Sequence, residues 1–404
     1  MLDVDDLVAL ADQRLRDDDA ARDRDYPGDR GLWQPVHTVY VPADRLRRTT
    51  VGDYRDHALG LMAEHDDLFR EITAADDRVV ALVRDKLRRQ PIEDLRADFE
   101  DGYGVRPDAD EDKDVRKVTQ VFWHLHAEED SPGRYGVRFK SLEAQTRRRG
   151  IQTLARTLDQ LRELVGDDEL VVTLPKVTSE AQVQALVAVL ERLEKQVSST
   201  SRGQRFEIQV ETPQTVLGPD GSALVARMIR AGGRRLSGLH YGTYDYSAFL
   251  GLAAGDQSLE HPAADHAKAV MQAAAAGTGV ELSDGSTNVL PVGDGLRLGW
   301  ETHHRLVTRA LHRGFYQGWD LHPAQLPTRF AATFQFFRAG AADADARLAA
   351  YAANRTGAIA DEPATVRALA DYLLRGLDCG ALTDDEVSLC RGDLARLARR
   401  REGS

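Results

Sequence analysis

Several charged side chains fall where short apolar runs give out, and their types suggest one chemistry. Glu211 and Asp245 close two neighbouring runs, "FEIQVETP" and "LSGLHYGTYDYS". Two single carboxylates, completed by waters and substrate oxygens, suit a hard divalent cation such as Mg2+ or Mn2+. A metal chelated by a 2-oxo acid acts as a Lewis acid and stabilises an enolate. Arg138 offers a fixed fork of donors to a carboxylate or a developing oxyanion. Glu100 and Asp101, adjacent in "DFEDG", stand where they can hold metal-bound waters or orient Arg138. Lys140 shares the run of Arg138, and Gly242 and Thr243 precede Asp245. With Arg138 these three are the candidate substrate contacts.

Each residue also has a plainer reading. A carboxylate at a strand end often caps a helix or pairs with a nearby Lys or Arg. Lys176 follows Pro175 and reads as an ion-pair partner, with a Schiff-base lysine as the catalytic alternative. His240, His303 and His304 read as structural, and His322 as a hydrogen-bonding group at the end of its run. His124 and His126 lack the i, i+4 spacing of a zinc motif.

Something must bring these positions together. Short apolar runs recur along the chain, each followed by a turn and a helical pattern. They span 37–43, 95–102, 135–141, 170–177, 206–213, 236–247, 286–293 and 318–323. The seventh, "STNVLPVG", is the weakest. Between them lie amphipathic stretches. Ser179 and Gln182 form a capping pattern ahead of Val183, Leu186, Val187, Leu190 and Leu193 at helical spacing. Residues 153–165 and 301–315 are similar. Strands alternating with helices imply a parallel sheet, and eight such units closing on themselves make a TIM barrel. In that fold the strand C-termini form the active-site mouth. The expected division is an N-terminal helical segment over 1–35, a (β/α)8 barrel over 36–338 and a helical C-terminal extension over 339–404.

Bulk properties narrow the class. The 404 residues carry 53 Lys and Arg against 65 Asp and Glu, a net charge of −12. Such a surface is a poor match for nucleic-acid phosphates. The two cysteines, Cys379 and Cys390, lack CxxC spacing and are too few for a disulfide framework, which suits a reducing compartment. The N-terminus is acidic and amphipathic, unlike a signal peptide, and no run reaches the ~18 apolar residues of a membrane span. A cytoplasmic enzyme is expected.

The ordered motifs "VYVPA", "DFEDG", "VRFKS", "TLPKV", "QVETP", "GTYDYS" and "GWDLHPAQL" resemble the HpcH/HpaI aldolase and citrate lyase β-subunit superfamily over residues 37 to about 330. That resemblance implies a TIM barrel, a divalent metal, usually Mg2+, carbon–carbon bond chemistry through an enolate, and a homo-oligomer. It makes Glu211 and Asp245 the metal ligands and Arg138 the substrate-carboxylate or carbonyl binder. It matches Glu100 and Asp101 to the acidic pair after the second strand. "DFEDG", "VET" and "YGTYDYSAF" also resemble malate synthases. Those enzymes carry a catalytic aspartate before an Ala-Thr pair in a helical tail; here "IADEPATVRAL" offers Asp361 or Glu362. The plainer alternative is an N-cap ahead of Pro363. Two departures stand out: the acidic stretch "PDADEDKD" after the second strand, and Lys140 in place of a small polar residue.

The expected function is a Mg2+-dependent carbon–carbon lyase or aldolase acting on a small oxo acid or acyl thioester. The alternatives are an acyl-CoA condensing acyltransferase using the tail carboxylate, and a non-catalytic binding protein on the same barrel. The general base stays open among Asp361, Glu362, Asp101 and a metal-bound hydroxide.

Overall fold

The computed structural model describes residues 4–128, 131–161, 170–197, 203–353 and 362–398. Eight parallel strands form the sheet: β1 His37–Pro42, β2 Asp94–Asp98, β3 Arg134–Arg138, β4 Leu170–Leu174, β5 Arg205–Val210, β6 Leu236–Tyr241, β7 Glu281–Ser283 and β8 Gly318–Asp320. Their order is β7-β6-β5-β4-β3-β2-β1-β8. A single parallel bridge, Ser283 to Gln317, closes β7 against the approach to β8. The result is a (β/α)8 TIM barrel with helical extensions.

Helix α1 is Val4–Asp25. Between β1 and β2 come α2 Thr50–Glu64, α3 Asp66–Thr73 and α4 Asp77–Arg89. Then follow α5 Asp108–His126, α6 Arg147–Leu161, α7 Glu180–Val197, α8 Pro213–Val216, α9 Leu224–Gly232, α10 Thr243–Phe249, α11 Pro262–Ala275 and α12 Leu296–His312. After β8 come α13 Leu326–Ala352, α14 Pro363–Asp378 and α15 Arg391–Ala398. The capping pattern before α7 is reciprocal: the Ser179 hydroxyl accepts from the Gln182 amide, and the Gln182 side chain accepts from the Ser179 amide. The boundary expected at residue 338 falls inside α13. No helix among the described residues is long and apolar enough to cross a membrane.

Two sequence expectations need correction. The seventh strand is not 286–293 but Glu281–Ser283. Pro291 lacks the N–H a ladder needs, and the segment instead forms an irregular loop over the mouth. The second strand stops at Asp98, so Glu100 and Asp101 sit in the following loop.

The core lies between strands and helices. Strand residues facing outward are apolar, including Leu95, Val137, Val172, Phe206, Ile208 and Val210. Residues facing the barrel axis are mostly polar. The interior of such a barrel is usually filled by branched apolar side chains. Here Arg96 lies at its centre, fully buried, and binds Asp94 twice (2.6 and 2.8 Å), Glu207 (3.1 Å) and the Val171 carbonyl (2.9 Å). Glu207 also accepts from the Thr173 hydroxyl at 2.6 Å and stands 3.0 Å from His240. The His240 Nδ1 takes the Trp319 indole N–H at 2.9 Å, which leaves Nε2 as the donor to Glu207. Gly136 makes room: a Cβ there would lie 2.1 Å from the Val171 carbonyl oxygen and 2.4 Å from Arg96 Nη1.

Candidate active site

Above the Arg96 layer, the strand C-termini deliver a second charged group. Asp98 and Arg138 end β2 and β3 and are partners in the parallel register. Arg138 Nε and Nη2 each donate to Asp98 at 2.7 Å, a bidentate pair. The guanidinium stacks over the Tyr40 ring, 5.0 Å from its centroid. Asp98 also accepts the amides of Glu100 (2.9 Å) and Gly102 (2.8 Å), so the same carboxylate shapes the loop after β2. A Cβ on Gly102 would lie 2.7 Å from Asp98 Oδ2.

Arg138 therefore has one terminal nitrogen left. Its Nη1 is 3.5 Å from Glu100 and 4.0 Å from Asp101. Gln209, on β5, joins the two sides of the site: with its amide assigned in the orientation that satisfies both neighbours, the oxygen accepts from Arg138 Nη1 at 3.2 Å and the nitrogen donates to Glu211 at 3.1 Å.

Glu211 follows β5 directly and is 2% exposed. Its Oε1 accepts the backbone N–H of Lys176 at 2.6 Å. Gly242 is needed beside it, since a Cβ there would stand 2.4 Å from the Glu211 Cβ. Asp245 lies not on β6 but in the first turn of α10, where the helix dipole favours a carboxylate.

These carboxylates surround Lys176. Its Nζ donates to Asp245 and to Asp101 (2.9 Å), and lies 3.8 Å from Glu211 and 3.9 Å from Glu100. With two nitrogens of Arg138 given to Asp98 and only Nη1 left near Glu100 and Asp101, four carboxylates crowd round one ammonium. The imbalance appears in their acidities. Burial, with Asp101 adding to it, pushes Glu100 up to about 8 despite Arg138 and Lys176. Burial and then Asp245 hold Glu211 up to about 7 against Lys176 and Arg138. Asp101 moves the other way: burial is outweighed by hydrogen bonding to Glu100 and Lys176. The Lys176 ammonium is raised, burial being outweighed by Glu211, Glu100 and its two hydrogen bonds.

This donor set fits a hard cation. It is all oxygen, it converges from the β2 loop, β5 and α10, and it carries surplus negative charge. Among the described residues no three His, Cys, Asp or Glu side chains form a ready metal cage; the oxygens converge on the Lys176 ammonium.

A family profile described as a domain of unknown function, DUF6986, matches residues 15–402. The chain belongs to the DUF6986 family. No curated protein sequence matches it. Among solved structures, a citrate lyase from Burkholderia xenovorans LB400 is similar over 91% of this chain and 97% of its own, at TM-score 0.59 and 18% identity. The native malate synthase of Haloferax volcanii at 3 mM glyoxylate is similar over 74% of each chain, at TM-score 0.50 and 15% identity. At these identities the likeness is one of fold.

Other candidate residues of the DUF6986 chain lie apart from the cluster. Lys140 is turned to α5, where its ammonium binds the fully buried Glu111 at 2.6 Å and the Phe99 carbonyl at 2.8 Å. The acidic stretch after β2 and the unusual lysine are thus one feature: α5 supplies Glu111, and Lys140 and Arg149 neutralise it. The Thr243 hydroxyl is buried and donates to the Ser286 carbonyl at 3.1 Å, pinning the loop after β7. His322 caps the turn after β8 through Nδ1. His303 binds the buried Asp320 and Thr328. Asp361 lies outside the described residues. Glu362 is the exposed N-cap of α14 and makes no capping hydrogen bond. It is remote from the mouth: Tyr372 meets the Phe336 and Phe337 carbonyls, whereas Val366 clusters with Leu348. α13 starts near the mouth at Leu326, and Leu348 is about 33 Å further along its axis.

The reading of motifs missed Asp98, Gln209 and Tyr40. The signal was present: "HTVYVP", "DLRAD" and "RFEIQV" alternate, which puts Tyr40, Asp98 and Gln209 each on the polar face of its strand.

Proposed function

We propose that this protein is a Mg2+- or Mn2+-dependent carbon–carbon lyase or aldolase of the citrate-lyase-like type, acting on a small 2-oxo acid or acyl thioester. The observation that carries the reading is the surplus of converging carboxylates around one cation at the mouth of the barrel. The fold-level likeness to a citrate lyase and the ordered motifs support it.

In this reading Glu211 and Asp245 hold the metal, which when bound supplies a Lewis acid for an enolate. Arg138 meets the substrate carboxylate or carbonyl with Nη1, the nitrogen not engaged by Asp98. Asp98, Gln209 and the Tyr40 ring fix that guanidinium, so little ordering is left for substrate binding to impose. Asp101 is half exposed and stays ionised beside Lys176, so it is the described carboxylate placed to accept a hydroxyl proton. Gly242 serves by letting Glu211 approach, and Lys140 and Thr243 by holding the surrounding loops. The tail-base alternative fits less well, since Glu362 of the same chain stands far from the mouth. A homo-oligomer remains part of the proposal; α1 leaves Val4, Leu7, Val8 and Leu15 exposed.

The test is hydrogen–deuterium exchange at the methyl group of pyruvate, followed by NMR in D2O with Mg2+ and with EDTA. Mg2+-dependent exchange supports an enolising oxo-acid site. No exchange with pyruvate, followed by none with acetyl-CoA, would count against the lyase reading.

A further inference from the structure

Lys176 combines two features that an ordinary surface ion pair does not need. Its ammonium faces four carboxylates drawn from three separate places: Glu100 and Asp101 in the loop after β2, Glu211 after β5, and Asp245 in α10. Its backbone is also left-handed, at φ +51°. Lysine has no short side chain to relieve that conformation, and such outliers persist only where the surroundings hold them. Here the holding contact is visible. The Lys176 N–H is fixed by Glu211 Oε1 at 2.6 Å, while the ammonium of the same residue faces Glu211 Oε2 at 3.8 Å. One carboxylate grips the backbone and confronts the side chain.

We propose that Lys176 is an exchangeable counter-cation: its ammonium keeps the metal position among Glu211 and Asp245 until a divalent cation enters and displaces it towards the mouth. This rests on the metal reading above. The argument is one of charge and reach. Four carboxylates gathered about one point repel one another unless protons or a cation offset their charge, and in the metal-free protein the Lys176 ammonium is the cation that all four face. Arg138 Nη1 stands 3.5 Å from Glu100 and offsets part of the charge, but that guanidinium cannot move aside for a metal, because Asp98 holds it from two sides. Lysine suits the part: its charge is compact, and its flexible four-carbon stem can swing without moving the backbone anchor. An ammonium and a metal ion seeking the same oxygens exclude each other.

Two measurements on the full chain test this. Mn2+ is titrated calorimetrically into EDTA-stripped wild type, Lys176→Met and Glu211→Ala. Separately, wild type is labelled with acetic anhydride with and without Mg2+, and modification of Lys176 is read by mass spectrometry. The expected result is that Lys176→Met binds Mn2+ more than about tenfold tighter than wild type, since a competing unit charge is gone. Labelling of Lys176 is expected to rise when Mg2+ is added. If wild type binds Mn2+ but Lys176→Met binds it equally or more weakly, or Mg2+ leaves labelling unchanged or lowers it, the exchange proposal is overturned and the metal site stands. If neither wild type nor Lys176→Met binds Mn2+, the metal reading itself fails and the exchange fails with it. Should Lys176→Met not fold, the labelling of wild type decides alone.

Discussion

Glu207 and Glu211 leave the same face of the same stretch of chain, two side-chain alternations apart, with Gln209 between them and Glu207 the deeper in the barrel. Both are buried, at 2% exposure each. Glu207 has Arg96 at 3.1 Å, His240 at 3.0 Å and two hydroxyl neighbours, Thr173 and Tyr40. Burial would raise it, but Arg96 and His240 prevail and hold its carboxyl well below the usual range. Glu211 shares Lys176 with three other carboxylates, and burial wins: it is held up to about 7. Burial is common to both, so it does not separate structure from function here. The count of cations per carboxylate does. On the proposed reading, the better-matched buried carboxylate is structural and the poorly matched one is where a further cation would bind.

The largest expected effect breaks the mouth and spares the layer beneath it. Glu211→Ala should abolish Mn2+ binding and lower Mg2+-dependent pyruvate exchange by about 10^3-fold, the upper range for loss of one preorganised electrostatic group. Its unfolding midpoint without metal should fall only modestly, because the loss of one unmatched charge offsets the lost hydrogen bond that holds the Lys176 N–H. A variant that retained both metal and exchange would end the assignment of Glu211. Next comes the inverse experiment. Arg96→Met strands Asp94 and Glu207 in the barrel, and breaking such a buried pair costs about 3–5 kcal/mol. Denaturant unfolding should register that loss, while whatever folds should still bind Mn2+.

Much of this division could be read from the sequence, and what could not has a physical reason. The runs ending in Glu211, Arg138 and "DFEDG" were legible because polar residues at the ends of apolar strands converge on one mouth. The alternation in "DLRAD" and "RYGVR" points a polar face somewhere, but not whether that face is the axis or solvent. Only the closed barrel shows that it is the axis, and so that Asp98 and Arg138 are partners. Lys140 misled because its partner Glu111 is 29 positions away, on a helix whose acidic sequence suggests solvent. The seventh strand misled because β7 is only three residues long and carries little pattern.

A smaller effect sharpens the comparison by pH. Glu100 and Glu211 have folded-state values of about 8 and about 7, above the ordinary 4.5. Their protonated forms favour the folded chain, so that stability is complete below about pH 4.5 and is lost as pH rises through 7 to 8. Glu207 is lowered, so its contribution is present above about pH 4.5 and is lost as pH falls further. In EDTA the melting temperature should therefore decline between about pH 5 and pH 8. Mg2+ should recover part of the decline, and Glu211→Gln should flatten it. An unchanged slope in that variant would place the surplus charge elsewhere.

The smallest change compares two glycines that do the same service for the two layers. A Cβ on Gly136 would meet the Val171 carbonyl oxygen at 2.1 Å, a backbone atom in the middle of the sheet. A Cβ on Gly242 would meet the Glu211 Cβ at 2.4 Å, beside a side chain that ends in the site. Each alanine forces a shift, and overpacking of this kind costs about 1–3 kcal/mol. The location of the shift should decide what is lost. Gly136→Ala presses on Arg96 and should lower stability with little change in metal affinity. Gly242→Ala displaces Glu211 and should weaken Mn2+ binding measurably by calorimetry at a smaller cost in stability. If both variants lost stability alone, the position of Glu211 would not be what limits the metal site, and the contrast between matched and unmatched carboxylates would reduce to packing.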